Sequence, residues 1–337
     1  MNSRKMRVIR ELTDKLNYPN SVVTIGNFDG VHLGHQKIFK RVAAKAKEIN
    51  GTPIAITFDP HPVRVLAPER GLKILTTFVD KADLMSNAGI KILISIGFNK
   101  EFARTDPDNF IRNVLIHKIG AKWIVVGHNY AFGKGKKGTP ALLRRRGQKY
   151  GFGVSVVRYA KVYDDIVSSS RVRSLLLRGR VCEASKMLGR AYHIEGTVIK
   201  GAGRGASLLH IPTANLATPN ELVPKEGVYA VKVSIGNKQK AMEPIAHRPS
   251  PIACEVYDGV ANIGKNPTFG DGPMSYEVHI LDFSRNLLGE KIRVHFIDRI
   301  RDEKKFSGIE KLEEQIKKDI EKAKQILSKR NDPLFLI

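Results

Sequence analysis

Between residues 22 and 180 the chain alternates short β-branched runs with longer segments of helical periodicity. No other feature narrows the fold as far. Parallel strands need crossover connections of a dozen or more residues, and helices between the runs supply them. The runs at 22–25, 53–58, 92–96, 123–126 and 154–157 are read as strands, and 36–49, 79–88, 107–119 and 139–150 as the helices between them. The expected architecture is an α/β Rossmann-type domain with a parallel sheet, whose functional groups gather at the carboxyl ends of the strands.

Near Gly189 the texture changes. Segments 171–180 and 181–188 still read as helix, but from His193 onward glycine, proline and short alternating runs dominate. Segments 229–235 (YAVKVSI) and 291–297 (KIRVHFI) alternate strictly, and 251–257 and 276–281 are shorter mixed runs. Short strands separated by turn signals predict a small antiparallel barrel. A boundary at about 185–192 follows, giving domains 1–186 and 187–337. Phe306, Ile309, Leu312, Ile316, Ile320, Ala323 and Leu327 recur every three or four residues, which predicts a C-terminal amphipathic helix docked on the barrel by one apolar stripe.

Composition bounds the function. The two cysteines, Cys182 and Cys254, stand outside any CxxC or Cys/His spacing, so neither a disulfide framework nor a zinc site is expected, and a reducing cytoplasm is. The charged first residues lack a secretory h-region, and no apolar run is long enough to span a membrane. Lysine and arginine number 57 against 33 acids, a formal charge of +24. Such a balance fits either a nucleic-acid partner or polyanionic substrates such as ATP. The basic residues are scattered, densest over 134–146, and no nucleic-acid motif accompanies them, which argues against nucleic acid. The sequence is compatible with an oligomer.

Residues 26–37 read GNFDGVHLGHQK and follow the first apolar run. A helix beginning near 31–35 puts His32 and His35 at the positive end of its dipole, where backbone N–H groups point outward. Gly30 and Gly34 allow close approach to the backbone, and spacing by three brings both imidazoles to one side. The result is an anion site with movable protons.

The stretch His32-Leu33-Gly34-His35 resembles the His-x-Gly-His signature of the nucleotidyltransferase superfamily. Phe58-Asp59-Pro60-His61-Pro62, Phe132-Gly133-Lys134-Gly135, Ser168-Ser169-Ser170-Arg171-Val172-Arg173 and Leu188-Gly189-Arg190 follow in the order seen in bacterial bifunctional FAD synthetases. These join a riboflavin kinase to an FMN adenylyltransferase, and the resemblance covers roughly residues 20–328. It implies that His32 and His35 contact the ATP phosphates and stabilise charge on the α-phosphorus. It implies ATP or flavin binding by Gly26, Asn27, Phe28, Asp29 and Gly34, and by Asp59, His61, Asn129, Ser168, Ser169 and Arg173. Many relatives are acidic where this chain has Asn129, and Thr139-Pro140 replaces another family acid.

In the barrel region, GAGRG at 201–205 precedes Pro212-Thr213-Ala214-Asn215. Flexible glycines beside Arg204 suit a polyphosphate, and a Thr hydroxyl with an Asn carbonyl offers the hard oxygens Mg²⁺ prefers. Pro-Thr-Ala-Asn resembles the metal and nucleotide motif of riboflavin kinases, as do Asn262-Ile263-Gly264-Lys265-Asn266 and Tyr276-Glu277-Val278-His279. The resemblance makes Thr213 and Asn215 metal ligands, places Gly203, Arg204, Gly205 and Asn266 at nucleotide or flavin, and makes Glu277 the catalytic base. Residues 208–211 depart from the family, and 238–251 read as an extra loop.

The expectation is a nucleotidyltransferase-like Rossmann domain, a Greek-key β-barrel and a C-terminal helix. By the resemblance its substrates are riboflavin, FMN and ATP, its products FMN, FAD and pyrophosphate, and its cofactor Mg²⁺. The rivals are another His-x-Gly-His nucleotidyltransferase, including a tRNA synthetase, and a basic RNA-binding protein. A synthetase would carry a Lys-Met-Ser-Lys-Ser-like loop and an anticodon-binding domain, and neither is visible.

Overall fold

The computed structural model describes residues 6–12, 14–201, 212–236, 255–264 and 274–329. The chain forms two compact units, dividing between Val167 and Ser168.

The first unit is built on a six-stranded sheet in the order β1 (Arg7–Ile9), β4 (Ile92–Gly97), β3 (Pro53–Asp59), β2 (Ser21–Ile25), β5 (Ala121–Gly127) and β6 (Gly153–Val157). Every neighbouring pair is parallel. All five residues of β2 are buried, which is why its sequence is apolar without alternation. Val23, Ile54, Ile94 and Ile124 pack on one face, while Val22, Ala55, Leu93 and Val125 meet Phe39 and Val42 of α1 (Leu33–Glu48) on the other. From β2 the chain moves outward through β3 and β4, then crosses back to lay β5 against the free side of β2. That reversal opens the crevice where α/β sheets bind ligands, at the carboxyl ends of β2 and β5.

Each expected strand of this unit is present. The three-residue β1 and the hairpin of β7 (Lys161–Val162) with β8 (Asp165–Ile166) are additions too short for a periodic signal. After α2 (Pro62–Leu66) and α3 (Phe78–Asn87), the segment expected as a plain helix over 107–119 departs from the α form. It opens as one α turn, α4 (Pro107–Asn109), and continues as a π-helical stretch, Phe110–Lys118, after which the Ile119 N–H donates to the Val114 carbonyl at 3.1 Å. α5 (Pro140–Tyr150) is capped by the Thr139 hydroxyl and ends on a left-handed Gly151.

The second unit begins with α6 (Ser169–Leu177) and α7 (Val181–Leu188). A closed antiparallel barrel follows, in the order β10 (Ala214–Ala217), β13 (Ser275–Ile280), β12 (Glu255–Gly264), β11 (Gly227–Ile235), β14 (Lys291–Arg301), β9 (Tyr192–Ile199). Closure leaves no unpaired edge strand. Strand alternation separates an inner set, including Tyr229, Val231 and Phe296, from outer residues Val228, Ala230, Val260 and Ile297, which join Ala323 and Leu327 of α8 (Ile309–Ser328). The docking stripe is shorter than the sequence predicts. Phe306 precedes the helix, Ile309 is 44% exposed, and contact comes from the second half, where Ile320, Ala323, Ile326 and Leu327 reach the barrel. The Arg301 guanidinium grips the Asp319 carboxylate at 2.7 Å beside them.

Candidate active site

The turn after β2 is bent by left-handed backbone at Phe28 (φ 50°), Gly30 (φ 81°) and Val31 (φ 43°). Such conformations are strained for Phe and Val and persist only where the surroundings enforce them; here both side chains are buried in the core. Asp29, 2% exposed, accepts from the Leu75 N–H at 2.8 Å, and the Gly30 N–H donates to the Thr76 hydroxyl at 3.3 Å. The turn is thereby tied to the segment that leads into α3.

His32 is the N-cap of α1, its Nδ1 accepting from the His35 N–H at 3.4 Å. The two imidazoles stack with centroids 3.6 Å apart, and Phe28 meets the His35 ring edge-on at 5.2 Å. A Cβ at Gly34 would stand 3.1 Å from the His32 ring, so this glycine makes room for an imidazole. Gly26 does the same for Phe28, at 3.0 Å. The Nδ1 of His35 is buried without a hydrogen-bond partner among the described residues. Burial, then the neighbouring His32 and Lys81, hold its pKa well below 6.5. At neutral pH His35 is therefore uncharged, a hydrogen-bonding group with one N–H.

Lys81 is absent from the sequence expectations. It lies on α3, in the electrostatic field of His35, Asp29 and Asp59; burial lowers its pKa and the two carboxylates oppose that shift. Its spacing in α3 carries no signal of its own, because only the tertiary tie between residues 29–30 and 75–76 brings it to the histidines.

Asn27 is held through its carbonyl, which accepts from Thr57 at 3.2 Å. Asp59 ends β3 and is exposed, joined by a cis peptide to Pro60. His61 caps α2, its Nδ1 accepting from the Val63 N–H at 3.2 Å, so its ring also has a structural task. Beyond β5, Asn129 rests against Gly127, where a Cβ would sit 3.4 Å from its side-chain oxygen. A chain of rings that the sequence reading did not assemble links the ends of β3, β4 and β5: Phe58 to Phe98 (5.6 Å), Phe98 to Phe102 (5.8 Å), Phe102 to Phe110 (6.1 Å), Phe110 to Phe132 (5.6 Å) and Phe132 stacked on Tyr130 (5.4 Å).

Ser168, Ser169 and Arg173 lie in the second unit. The Ser168 hydroxyl caps α6 by accepting from the Arg171 N–H at 3.2 Å, Ser169 opens the helix and Arg173 follows one turn on. In the barrel, Asn215 on β10 and Asn262 on β12 flank Glu277 of β13 as direct cross-strand partners. Opposed residues share a face, so two amides bracket one carboxylate on the outer surface of the barrel, while the neighbours Leu216 and Val278 are buried. Asn262 opens a motif whose resemblance pointed to Asn266; only the register reveals its place beside Glu277. The Nδ1 of His279 bonds the Pro212 carbonyl at 2.8 Å, which fixes the chain leading into Thr213. The Asn215 amide fills the space where a Gly201 side chain would be, its nitrogen 2.0 Å from that Cβ position. Gly203, Arg204, Gly205 and Asn266 fall outside the described residues.

Thr213 and Asn215 present neutral hard oxygens with the Glu277 carboxylate across the ladder, a donor set that fits Mg²⁺ shared with substrate phosphates. Among the described residues no cluster of three or more His, Cys, Asp or Glu is arranged as a self-sufficient metal cage.

Comparisons with known proteins match two families to successive stretches of the chain. The FAD synthetase family matches residues 14–171 and the riboflavin kinase family residues 188–327. A bifunctional riboflavin kinase/FMN adenylyltransferase of Buchnera aphidicola subsp. Schizaphis graminum is 36% identical, covering 95% of this chain and 98% of its own. The protein of the same name in Bacillus subtilis is 36% identical over 90% of this chain and 91% of its own. A crystal structure described as a macrolide-efflux protein of Streptococcus pneumoniae superposes with a TM-score of 0.80 at 30% identity, covering 95% of this chain and 98% of that one. No helix among the described residues of the present chain is long and apolar enough to cross a membrane. With a His-x-Gly-His helix start at the switch point of a parallel sheet, an Asn/Glu/Asn row on an antiparallel barrel, and this likeness over nearly its whole length, the chain belongs to the bifunctional riboflavin kinase/FMN adenylyltransferase family.

Proposed function

We propose that this chain phosphorylates riboflavin with ATP to give FMN, and adenylylates FMN with a second ATP to give FAD and pyrophosphate. Domain 187–337 carries the first step and domain 1–186 the second. One observation carries the reading: a single chain holds both the stacked His32/His35 pair and the Asn215/Glu277/Asn262 row.

In the kinase step Glu277 accepts the proton of the ribityl 5′-hydroxyl as that oxygen attacks the γ-phosphorus and ADP departs. Thr213 and Asn215 would hold Mg²⁺, which when bound neutralises phosphate charge. In the second step an FMN phosphate oxygen attacks the α-phosphorus of ATP, and the bond to the β-phosphate breaks. No protein nucleophile takes part, so positioning and charge stabilisation supply the rate. His32 and His35 donate hydrogen bonds to the phosphoryl oxygens; an approaching polyanion favours a second proton on His35, strengthening that donation as charge develops. Gly26, Asn27, Phe28, Asp29 and Gly34 shape the turn that holds the pair. The aromatic chain from Phe58 to Tyr130 offers a stacking surface for a planar isoalloxazine. A cytoplasmic location accords with the sparse, unpatterned cysteines, and the reading needs no nucleic acid.

The test is direct. Purified protein with riboflavin, ATP and Mg²⁺ should yield FMN and then FAD on chromatography. Absence of both products overturns the reading.

A further inference from the structure

A lysine in the first unit has no partner equal to its charge. Lys81 sits one helical turn past the N-cap of α3, its own N–H donating to the Thr77 carbonyl at 3.0 Å. The chain entering that helix is stitched to the histidine turn at two points, Leu75 to Asp29 at 2.8 Å and Gly30 to Thr76 at 3.3 Å. Thr77 and Asp80 close the cap reciprocally, with the hydroxyl 2.9 Å from the Asp80 carboxylate. The second turn of α3 is thus fixed with respect to His32 and His35.

The side chain is half-buried, and its ammonium makes no hydrogen bond or ion pair among the described residues. Asp29 and Asp59 influence it electrostatically from a distance beyond direct pairing. Neither is its dedicated counter-ion: Asp29 already accepts a backbone N–H, and Asp59 is exposed. A partly desolvated cation without a partner is unfavourable, and an incoming anion would relieve that cost. Lys81 also acts electrostatically on His35. With His35 uncharged, Lys81 is a source of positive charge beside the stacked imidazoles.

We propose that Lys81 is a catalytic residue of the adenylyl-transfer site, its ammonium contacting the phosphate oxygens of ATP and stabilising the negative charge that builds as the α-phosphorus to β-phosphate bond breaks. This rests on the adenylyltransferase reading of the first unit. Three groups then divide the labour. His32 and His35 place N–H donors with fixed direction, and Lys81 supplies charge without demanding geometry, as an ammonium on a flexible stem does. Asp29 and Asp59 oppose the loss of the proton that burial favours.

The experiment compares Lys81→Met, which preserves length and removes charge, with Lys81→Arg, which preserves charge. FAD formation from supplied FMN and ATP, and FMN formation from riboflavin and ATP, are measured on each full-length protein. Lys81→Met should lower kcat for FAD formation by about a hundredfold, more than it raises KM for ATP. Lys81→Arg should recover at least about a tenth of the lost rate, and FMN formation should stay within about twofold in both variants. FAD formation by Lys81→Met within about threefold of the unsubstituted protein would overturn the proposal, as would equal inactivity of the two variants or joint loss of both activities. Failure of the unsubstituted protein to make FAD would instead remove the reading underneath, before any variant is compared.

Discussion

Asn215 on β10 and Glu277 on β13 are direct cross-strand partners, and Asn262 on β12 pairs with the same glutamate from the other side. Their Cβ atoms are therefore about 5 Å apart on one face of the barrel. Glu277→Gln keeps the size of the side chain and the ladder while removing the proton acceptor. FMN formation from riboflavin should fall by about 10²- to 10⁴-fold, and FAD formation from supplied FMN should persist. Separate assays of the two half-reactions check this, and equal loss of both would contradict two independent sites.

The opposite separation is expected at the other site. His35→Ala removes a ring that stacks on His32 at 3.6 Å and contacts Phe28 edge-on. FAD formation should drop about a hundredfold with FMN formation preserved. If FAD formation is unchanged, the stacked pair has no part in phosphoryl chemistry.

His35 also links stability to acidity. Its folded-state pKa is depressed, first by burial and then by His32 and Lys81, whereas the unfolded chain takes up the proton near pH 6.5. The unfolded state then binds more protons below that pH, so the free energy of unfolding should fall as pH drops through 6.5 and be unaffected by this residue above it. Urea titrations of the unsubstituted protein and His35→Asn across this range should show the steeper acid loss in the unsubstituted protein. Parallel curves would count against a buried neutral imidazole.

Much of this site was legible before the fold was known, and the reason is local. The run from Gly26 to His35 contains its own strand end, turn and helix start, so sequence neighbours become spatial neighbours. Thr213 and Asn215 share that advantage. Lys81 does not, because it reaches His35 only through the ties between Asp29 and Leu75 and between Gly30 and Thr76, 46 residues apart. Asn262 and Glu277 likewise meet through strand register, which composition and spacing leave undetermined. The role of Gly34 was legible in kind but not in detail: sequence suggests close ligand approach, whereas the space is taken by the His32 ring. The C-terminal stripe overstates the contact because Phe306 and Ile309 obey the helical period without facing the barrel core.

Docking of α8 should depend on an ion pair as well as on that shortened stripe. Asp319 is 3% exposed, receives the Arg301 guanidinium at 2.7 Å, and accepts a further bond from Gln315 at 3.0 Å. Asp319→Ala leaves the arginine without its counter-charge and should cost the second unit about 3 kcal/mol in urea unfolding. Replacing both partners with leucine should recover most of that loss. A single substitution with no measurable cost would mean that Arg301 finds water instead.

Gly201→Ala separates the needs of the fold from those of the kinase site. The added methyl would stand 2.0 Å from the Asn215 amide nitrogen, so something must move, and the end of a side chain moves more readily than the paired strands beside it. Global stability should change by less than about 1 kcal/mol. The Asn215 amide, however, would be turned from its place beside Glu277, and the oxygen read here as a Mg²⁺ ligand would shift with it. FMN formation should then require several times more Mg²⁺ for half-maximal rate, while FAD formation keeps its original dependence. Titrating Mg²⁺ in both half-reactions decides the matter: an unchanged requirement in the kinase step would mean that Asn215 is a packing residue and that the metal, where it binds, is held by other groups.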